Sequence, residues 1–313
     1  MLNFEKISLK HKQPFEKCVN QDIKLNSISD FNFFYLWNTT DNVEIAFSTD
    51  FCIVKGVWGK KTFYYSPSIA TVEDFEKVYK LISDYQNGKH FYIAGLSAEI
   101  VNNLACIPDN CTISYDRNAS DYIYLTQDLI ELSGKKFHSK KNFVNSFKNT
   151  YKYEFVEYDE SYYQEILNLY DNWMSHSEHA VDKKEKVAIM RALTDYKQLG
   201  LKIGLLLVDG KIIAFSASAI SVHNIAQVFF EKADTQYKGV YAMINYLTAS
   251  TFLKDTTYIN REEDMGIEGL RKAKLSYNPT TIYEKYILEY KNEQKRTLQF
   301  GFWRRRYIYR LLF

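Results

Sequence analysis

Apolar and polar residues alternate in short runs along the chain, and turns or helical stretches separate one run from the next. "YKYEFVEY" has the two-residue period of a half-buried strand. Apolar residues then return at helical spacing at Ile166, Leu167, Leu169 and Tyr170, and Ser161 is the expected cap of a helix running through Asn172. A second helix is predicted over residues 182–199, with Gly200 as its stop. "KIGLLLV" and "KIIAFSASAI" read as strands joined by Asp209-Gly210, a strong two-residue hairpin signal. His223-Asn224 turns the chain into "IAQVFFE". A helix from Val240 to about Lys254 follows, then a strand at "TTYIN", a short helix over Gly269–Leu275 and a final strand "IYEKYILEY".

The first half repeats this β-α-α-β-β-β-α-β-α-β order with weaker patterns. "FEKISL" opens it, helical pieces lie near Pro14–Asn20 and Asp30–Asn38, and three strands follow at "VEIAFS", "FCIVKGVW" and "TFYYS". Helix Val72–Gln86, strand "FYIAG", helix Ala98–Leu104 and a strand at "TISY" or "DYIYL" complete it. No residue-level repeat accompanies the duplication. The order is that of the GNAT acyltransferase fold. An α+β protein of two tandem GNAT domains is predicted, each a mixed, mostly antiparallel sheet flanked by helices. The expected limits are 1–130, 131–290 and a basic aromatic tail at 291–313. A length of 313 residues agrees with two cores rather than one.

Composition adds less. Apolar residues make up 46% and charged residues 25%, the balance of a globular protein. No run reaches the roughly 20 apolar residues of a spanning helix, and the first residues lack the apolar centre of a signal peptide. Cys18, Cys52, Cys106 and Cys111 are scattered without a CxxC pair, so neither disulfides nor a thiolate metal site is expected. "HSEHAVD" places His176 and His179 three apart, without HExxH spacing or a third ligand. A cytoplasmic protein without a metal is the expectation.

Charge is segregated. Residues 135–152 hold six lysines and no acid, and residues 291–313 hold seven Lys and Arg against one Glu. Such surfaces favour anionic partners. Lys136, Lys140 and Lys141 are expected on one helix surface, with Phe143 and Phe147 inward, as phosphate contacts to nucleic acid. The tail, "FWRRRYIYRLLF" at its end, is the candidate for peripheral membrane contact.

In the GNAT fold a loop after the fourth strand leads into a helix whose N-terminus receives the donor's anion. Here "FFEKADTQYKGVYAMINYL" takes that place, with Gln236, Lys238, Gly239 and Val240 as donor-binding candidates; Tyr241 replaces the motif's last small residue. The first half has no such glycine, so the donor site is assigned to the second half and the acceptor side to the first. Glu231 closes the fourth strand as candidate base. Arg261 and Asp264 follow the fifth strand, suited to an oxyanion or phosphate and to an acceptor ammonium, a role also open to Glu262. Tyr277 stands where many GNAT enzymes keep a tyrosine that protonates the leaving group.

"DYIYLTQDLIELSGKKFHSKKNFVNSF", "YINREEDMGIEGLRKAKLSYNP" and "FEKADTQYKGVYAMIN" together resemble the phosphatidylglycerol lysyltransferase C-terminal domain family, in particular its freestanding bacterial members. The resemblance implies a tandem GNAT fold related to the Fem-type aminoacyltransferases. It also implies transfer of an amino acid from aminoacyl-tRNA, without a tightly bound cofactor. Lys274, five before Pro279, matches a functional lysine in the family's Phe-Lys-x-Lys-Phe-x-Pro run, although Ala273 and Ser276 depart from that run. No multi-span membrane segment is present of the kind that accompanies the lipid synthases, so a peptide or small amine joins the lipid headgroup as expected acceptor. An acyl-CoA-dependent N-acyltransferase and a non-catalytic binding protein are the alternative readings. A tRNA donor predicts salt-sensitive tRNA binding, measured by filter retention, that weakens when Lys140 and Lys141 become Glu. If Lys274 is catalytic, Lys274→Ala abolishes activity and leaves the melting temperature unchanged.

Overall fold

The computed structural model describes residues 2–40, 42–58, 60–175 and 183–292. The His176–His179 motif and the body of the basic tail lie outside the described residues. The chain forms β1 (Glu5–Lys6), α1 (Lys12–Cys18), α2 (Phe31–Leu36), β2 (Val43–Phe47), β3 (Cys52–Trp58) and β4 (Lys61–Tyr65). Next come α3 (Val72–Gln86), β5 (Phe91–Ser97), α4 (Ala98–Asn103) and β6 (Cys111–Tyr115). The second half contains β7 (Asp121–Leu125), α5 (Thr126–Glu131), α6 (His138–Thr150), β8 (Tyr153–Glu157), α7 (Tyr163–Ser175) and α8 (Lys183–Leu199). The hairpin β9 (Lys202–Val208) and β10 (Lys211–Ile220) leads to β11 (Ile225–Ala233) and α9 (Val240–Phe252). The described chain closes with β12 (Tyr258–Asn260), α10 (Glu268–Leu275), β13 (Thr281–Tyr283) and β14 (Lys285–Tyr290).

Local chemistry accounts for most boundaries. Asp209 and Gly210 both take positive φ, as the tight β9–β10 turn requires. Thr71 forms a capping box with Asp74 at the start of α3. The cap before α7 is Asp159, whose side chain accepts from the Ser161 N–H at 2.8 Å, so the expected cap Ser161 is the middle residue of a short 3-10 segment, Glu160–Tyr162. A carboxylate two residues upstream is the better acceptor for those N–H groups.

Two seven-stranded sheets result, in the orders β1-β2-β3-β4-β5-β14-β6 and β13-β7-β12-β11-β10-β9-β8. Each is a GNAT sheet with one parallel pair, β4 with β5 and β11 with β12. The strand beside that pair comes from the other half of the chain. β14, the last described strand, sits between β5 and β6, while β7, which leaves the first half, sits between β12 and β13. The sequence "IYEKYILEY" is therefore two strands in two sheets, parted at Glu284. A cut at residue 130 would leave β7 on the first side and β14 on the second, against their hydrogen bonding.

The exchange carries a buried ion pair. Lys285 of β14 lies 2.7 Å from Asp121 of β7, with side chains 5% and 0% exposed. Asp121 also accepts the Ser27 N–H at 2.7 Å, and Lys285 donates to the Ser27 hydroxyl at 2.7 Å. Apolar packing joins the halves as well: Phe15, Phe31 and Phe34 of α1 and α2 share one core with Ile166, Ala192 and Phe215 of the second half. Lys285→Met leaves a buried carboxylate uncompensated, and a loss of about 3–5 kcal/mol is expected in urea unfolding. Adding Asp121→Asn should recover part of it.

Candidate active site

Parallel pairing of β11 with β12 covers only Ile225 to Gln227 against Tyr258 to Asn260. Beyond that β11 stays paired with β10 but has no partner on its β12 side, and a bulge that leaves Phe229 without a partner on β10 bends it. The two strands splay, and a cleft of about 1340 Å³ opens between them and the first domain.

Glu231, at the open end of β11, meets Arg261, the first residue after β12, through an ion pair of 2.9 Å. Their side chains are only 10% and 13% exposed. One oxygen of the carboxylate, Oε1, and one nitrogen of the guanidinium, Nη1, are buried without a hydrogen-bond partner. Orphaned donors and acceptors cost about 1–3 kcal/mol each, so this pair is incomplete as it stands. The Arg261 guanidinium lies 5.0 Å from the Tyr277 ring centre and 5.8 Å from that of Tyr124. Burial pushes the Tyr277 phenol well above its usual range, so it keeps its proton at neutral pH. Lys140 Nζ stands 4.3 Å from the centre of the same Tyr277 ring. Burial, then the nearby Arg261 charge, lower the Lys140 pKa. The structure thus brings Glu231, Arg261, Tyr277 and Lys140 together.

Lys274 and Asp264 are committed elsewhere. Lys274 is buried and its ammonium donates to the carbonyls of Arg261 at 2.6 Å, Glu262 at 3.2 Å and Glu263. It fastens the loop that carries Arg261, in which Glu262 takes a left-handed φ of +55°. Such a backbone persists only where its surroundings over-determine it. The fully buried Asp264 accepts from Arg271 Nε at 2.8 Å, the Tyr122 hydroxyl at 2.5 Å and the Gly266 N–H at 2.8 Å. Burial alone would raise its pKa, but these hydrogen bonds outweigh it and hold the carboxyl well below the usual range. An acceptor ammonium finds no vacant oxygen there. Glu262 accepts from the Gln227 side chain at 2.8 Å and is raised by burial.

Of the residues expected to bind a donor, Lys238, Gly239 and Val240 line the cleft, whereas Gln236 is exposed outside it. Gly239 needs its φ of +85°, and a Cβ there would lie 2.9 Å from the Phe143 carbonyl oxygen. Lys136 pairs with Asp128 at 3.0 Å and Lys141 points to solvent. Val144 and Phe147 form the inward face of α6; Phe143, expected inward, is 38% exposed and lines the cleft. Its place one residue before Val144 on the helix turns it off the buried stripe.

Pattern reading missed the rest of the lining. Lys232 lies 3.8 Å from the Trp173 ring centre and 2.8 Å from Glu185, and Trp173 Nε1 donates to the Tyr241 hydroxyl at 3.0 Å. Phe34, Trp37, Trp58 and Tyr65 supply an aromatic wall from the first domain. One signal was present: all three described tryptophans, Trp37, Trp58 and Trp173, meet in this cleft.

Two sheets of this strand order, with a splayed pair and a glycine-capped helix at the mouth, define a tandem GNAT protein. FemX shares the fold, with a TM-score of 0.62 at 8% identity over 93% of this chain and 98% of its own. The chain belongs to the family "Phosphatidylglycerol lysyltransferase, C-terminal", which its residues 24–289 match. A conserved protein of unknown function from Bacteroides thetaiotaomicron is 35% identical, with a TM-score of 0.85 over 93% of this chain and all of its own. L-PGS from Bacillus licheniformis is 15% identical, with a TM-score of 0.59 over 84% and 88%. An uncharacterised protein of Mycoplasmoides gallisepticum is 26% identical over 55% of this chain, which spans only 56% of that relative's length. Among the described residues, no helix is long and apolar enough to cross a membrane, and no cluster of His, Cys, Asp and Glu could hold a metal ion.

Two outcomes are expected. Lys274→Met releases three carbonyls and should lower stability by about 1.5–3 kcal/mol together with activity, unlike a purely catalytic lysine. Because Glu262 is raised when folded, the folded chain holds a proton that the unfolded chain has lost, from about pH 4.5 upward. Stability contributed by this group falls as pH rises through that window, and Glu262→Gln should flatten the slope in urea titrations.

Proposed function

We propose that the protein is an aminoacyltransferase that moves an aminoacyl group from the 3′ end of a charged tRNA to an amine or hydroxyl acceptor. The observation that carries this reading is the incomplete Glu231–Arg261 pair under Tyr277, at the point where the strands splay. Family membership supports an aminoacyl group as the group transferred.

The residues suit each demand of ester aminolysis. The acceptor enters beside Glu231, whose Oε1 takes its proton. A bond forms between the nucleophile and the ester carbonyl carbon, and the carbonyl oxygen gains charge that Arg261 Nη1 stabilises. The carbon–oxygen ester bond then breaks, and the leaving 3′-oxygen takes the Tyr277 proton. The Glu231 proton returns to Tyr277 through solvent, which restores both groups. The aromatic wall excludes water that would otherwise hydrolyse the ester. The first domain shapes the acceptor side, and the acceptor itself is a peptide, a small amine or a headgroup.

The experiment is transfer of labelled amino acids from a pool of charged host tRNA to a panel of amine and hydroxyl acceptors. Turnover is expected, with kcat falling about 10²–10⁴-fold in Glu231→Gln and in Tyr277→Phe. The absence of transfer from every charged tRNA would overturn the reading. Turnover with acyl-CoA instead would establish the other donor class.

A further inference from the structure

Four rings from the first domain run in a row along the cleft. Phe33, Phe34, Tyr65 and Trp58 all line it, with successive centroids 5.2, 5.3 and 6.1 Å apart. Among the described residues the Tyr65 hydroxyl makes no hydrogen bond. Its phenol is raised by burial and then by the charge of Glu263, which places that carboxylate beside the rings.

Glu263 is the one acid of its loop left without a donor. Glu262 accepts from the Gln227 side chain, and Asp264 is held by Arg271, Tyr122 and the Gly266 N–H. Glu263 lines the cleft with its side chain 33% exposed, and among the described residues its carboxylate accepts no hydrogen bond. Lys285 Nζ stands 3.7 Å from Glu263 Oε2, beyond hydrogen-bond reach, and Asp121 already balances that lysine at 2.7 Å. Lys274 is spent on three backbone carbonyls. Burial raises the Glu263 carboxyl, and Lys285 offsets only part of that rise. A carboxylate and aromatic rings open to one cleft suit an ammonium, which donates to the oxygen and sets its remaining charge against the rings. A neutral or anionic ligand would leave the carboxylate desolvated and unpaired.

We propose that Glu263, with the Tyr65 hydroxyl and the rings of Phe33 and Phe34, binds a primary ammonium of the acceptor, distinct from the nucleophile that reacts beside Glu231. The proposal rests on the aminoacyltransferase reading and gives the acceptor a chemical class: a diamine, an amino alcohol or a peptide with a basic side chain. Glu263 follows Arg261 by two residues, a backbone span of about 7 Å at most, so a short chain reaches from one group to the other. An ammonium could also belong to the transferred amino acid. The acceptor is favoured because Lys285 and Tyr65 belong to the first sheet and Phe33 and Phe34 to α2, the side assigned to the acceptor.

The probes are pentanediamine, with an amine at each end, pentylamine and pentanol. In calorimetric titration of the full chain, pentanediamine is expected to bind, with Kd raised about 10–100-fold in Glu263→Gln, the loss of one charged hydrogen bond. Tyr65→Phe should weaken binding by a smaller factor, and Glu73→Gln, exposed on α3, should leave it unchanged. Matching melting temperatures exclude misfolding, and any pentanol binding should not depend on Glu263. In the transfer assay, Glu263→Gln should raise KM for pentanediamine and leave kcat, the KM for pentylamine and the choice of amino acid unchanged. Diamine binding indifferent to Glu263 would overturn the proposal, as would a Glu263→Gln effect confined to which amino acid is transferred. Transfer to pentanediamine at an unchanged KM in Glu263→Gln would sink this subsite and spare the proposed function. Glu263-dependent diamine binding without transfer from any charged tRNA would do the reverse.

Discussion

A single ammonium group sets the geometry on which the site depends. Lys274 gathers the carbonyls of Arg261, Glu262 and Glu263 from beneath, a curl that the left-handed backbone of Glu262 alone would not keep. The curl turns the Arg261 side chain back across the splayed strands to Glu231 and under Tyr277. Asp264 closes the same loop from the other side, tying it through Arg271 to α10. Each is costly to bury and is kept ionised or bonded by the other members of the loop. Arg261 is therefore presented to the cleft by a loop with little freedom to shift.

The two walls of the cleft differ in character. The second domain contributes charge in compensated pairs, Glu231 with Arg261 and Glu185 with Lys232. The first contributes rings, with few polar atoms between them. An aromatic wall opposite charged groups lowers the local dielectric and strengthens every electrostatic contact across the space. Charged groups on one wall and an apolar counterface on the other give each half a distinct part in the cleft.

Much of the architecture was legible because it is local. The helical spacing of α3 and the Asp-Gly turn between β9 and β10 follow from a few neighbouring residues, as does the stop at Gly200. What escaped reading is non-local. "IYEKYILEY" has one strand's alternation, and nothing within it says that Glu284 divides two sheets. The positions of Glu231, Arg261 and Tyr277 at the strand mouth followed from the fold's known order. The commitments of Lys274 and Asp264 did not, because they depend on the shape of a loop whose carbonyls become the ligands. Phe143 likewise read as a core residue from spacing, although Val144 and Phe147 hold the buried stripe of α6 and Phe143 falls beside it.

The reciprocal placing of β7 and β14 also bears on how the chain is made. Residues 285–290 are the last described strand to leave the ribosome, and until they do the first sheet has a gap between β5 and β6. The first half cannot close its own sheet before β14 has been made. β7 meanwhile must wait for β12, over 130 residues later, before it has a neighbour. Separations of this size slow folding, because long loops must close before any contact rewards them. The two halves are bound to complete their sheets late and together, with open strand edges that a nascent-chain chaperone would be expected to shield.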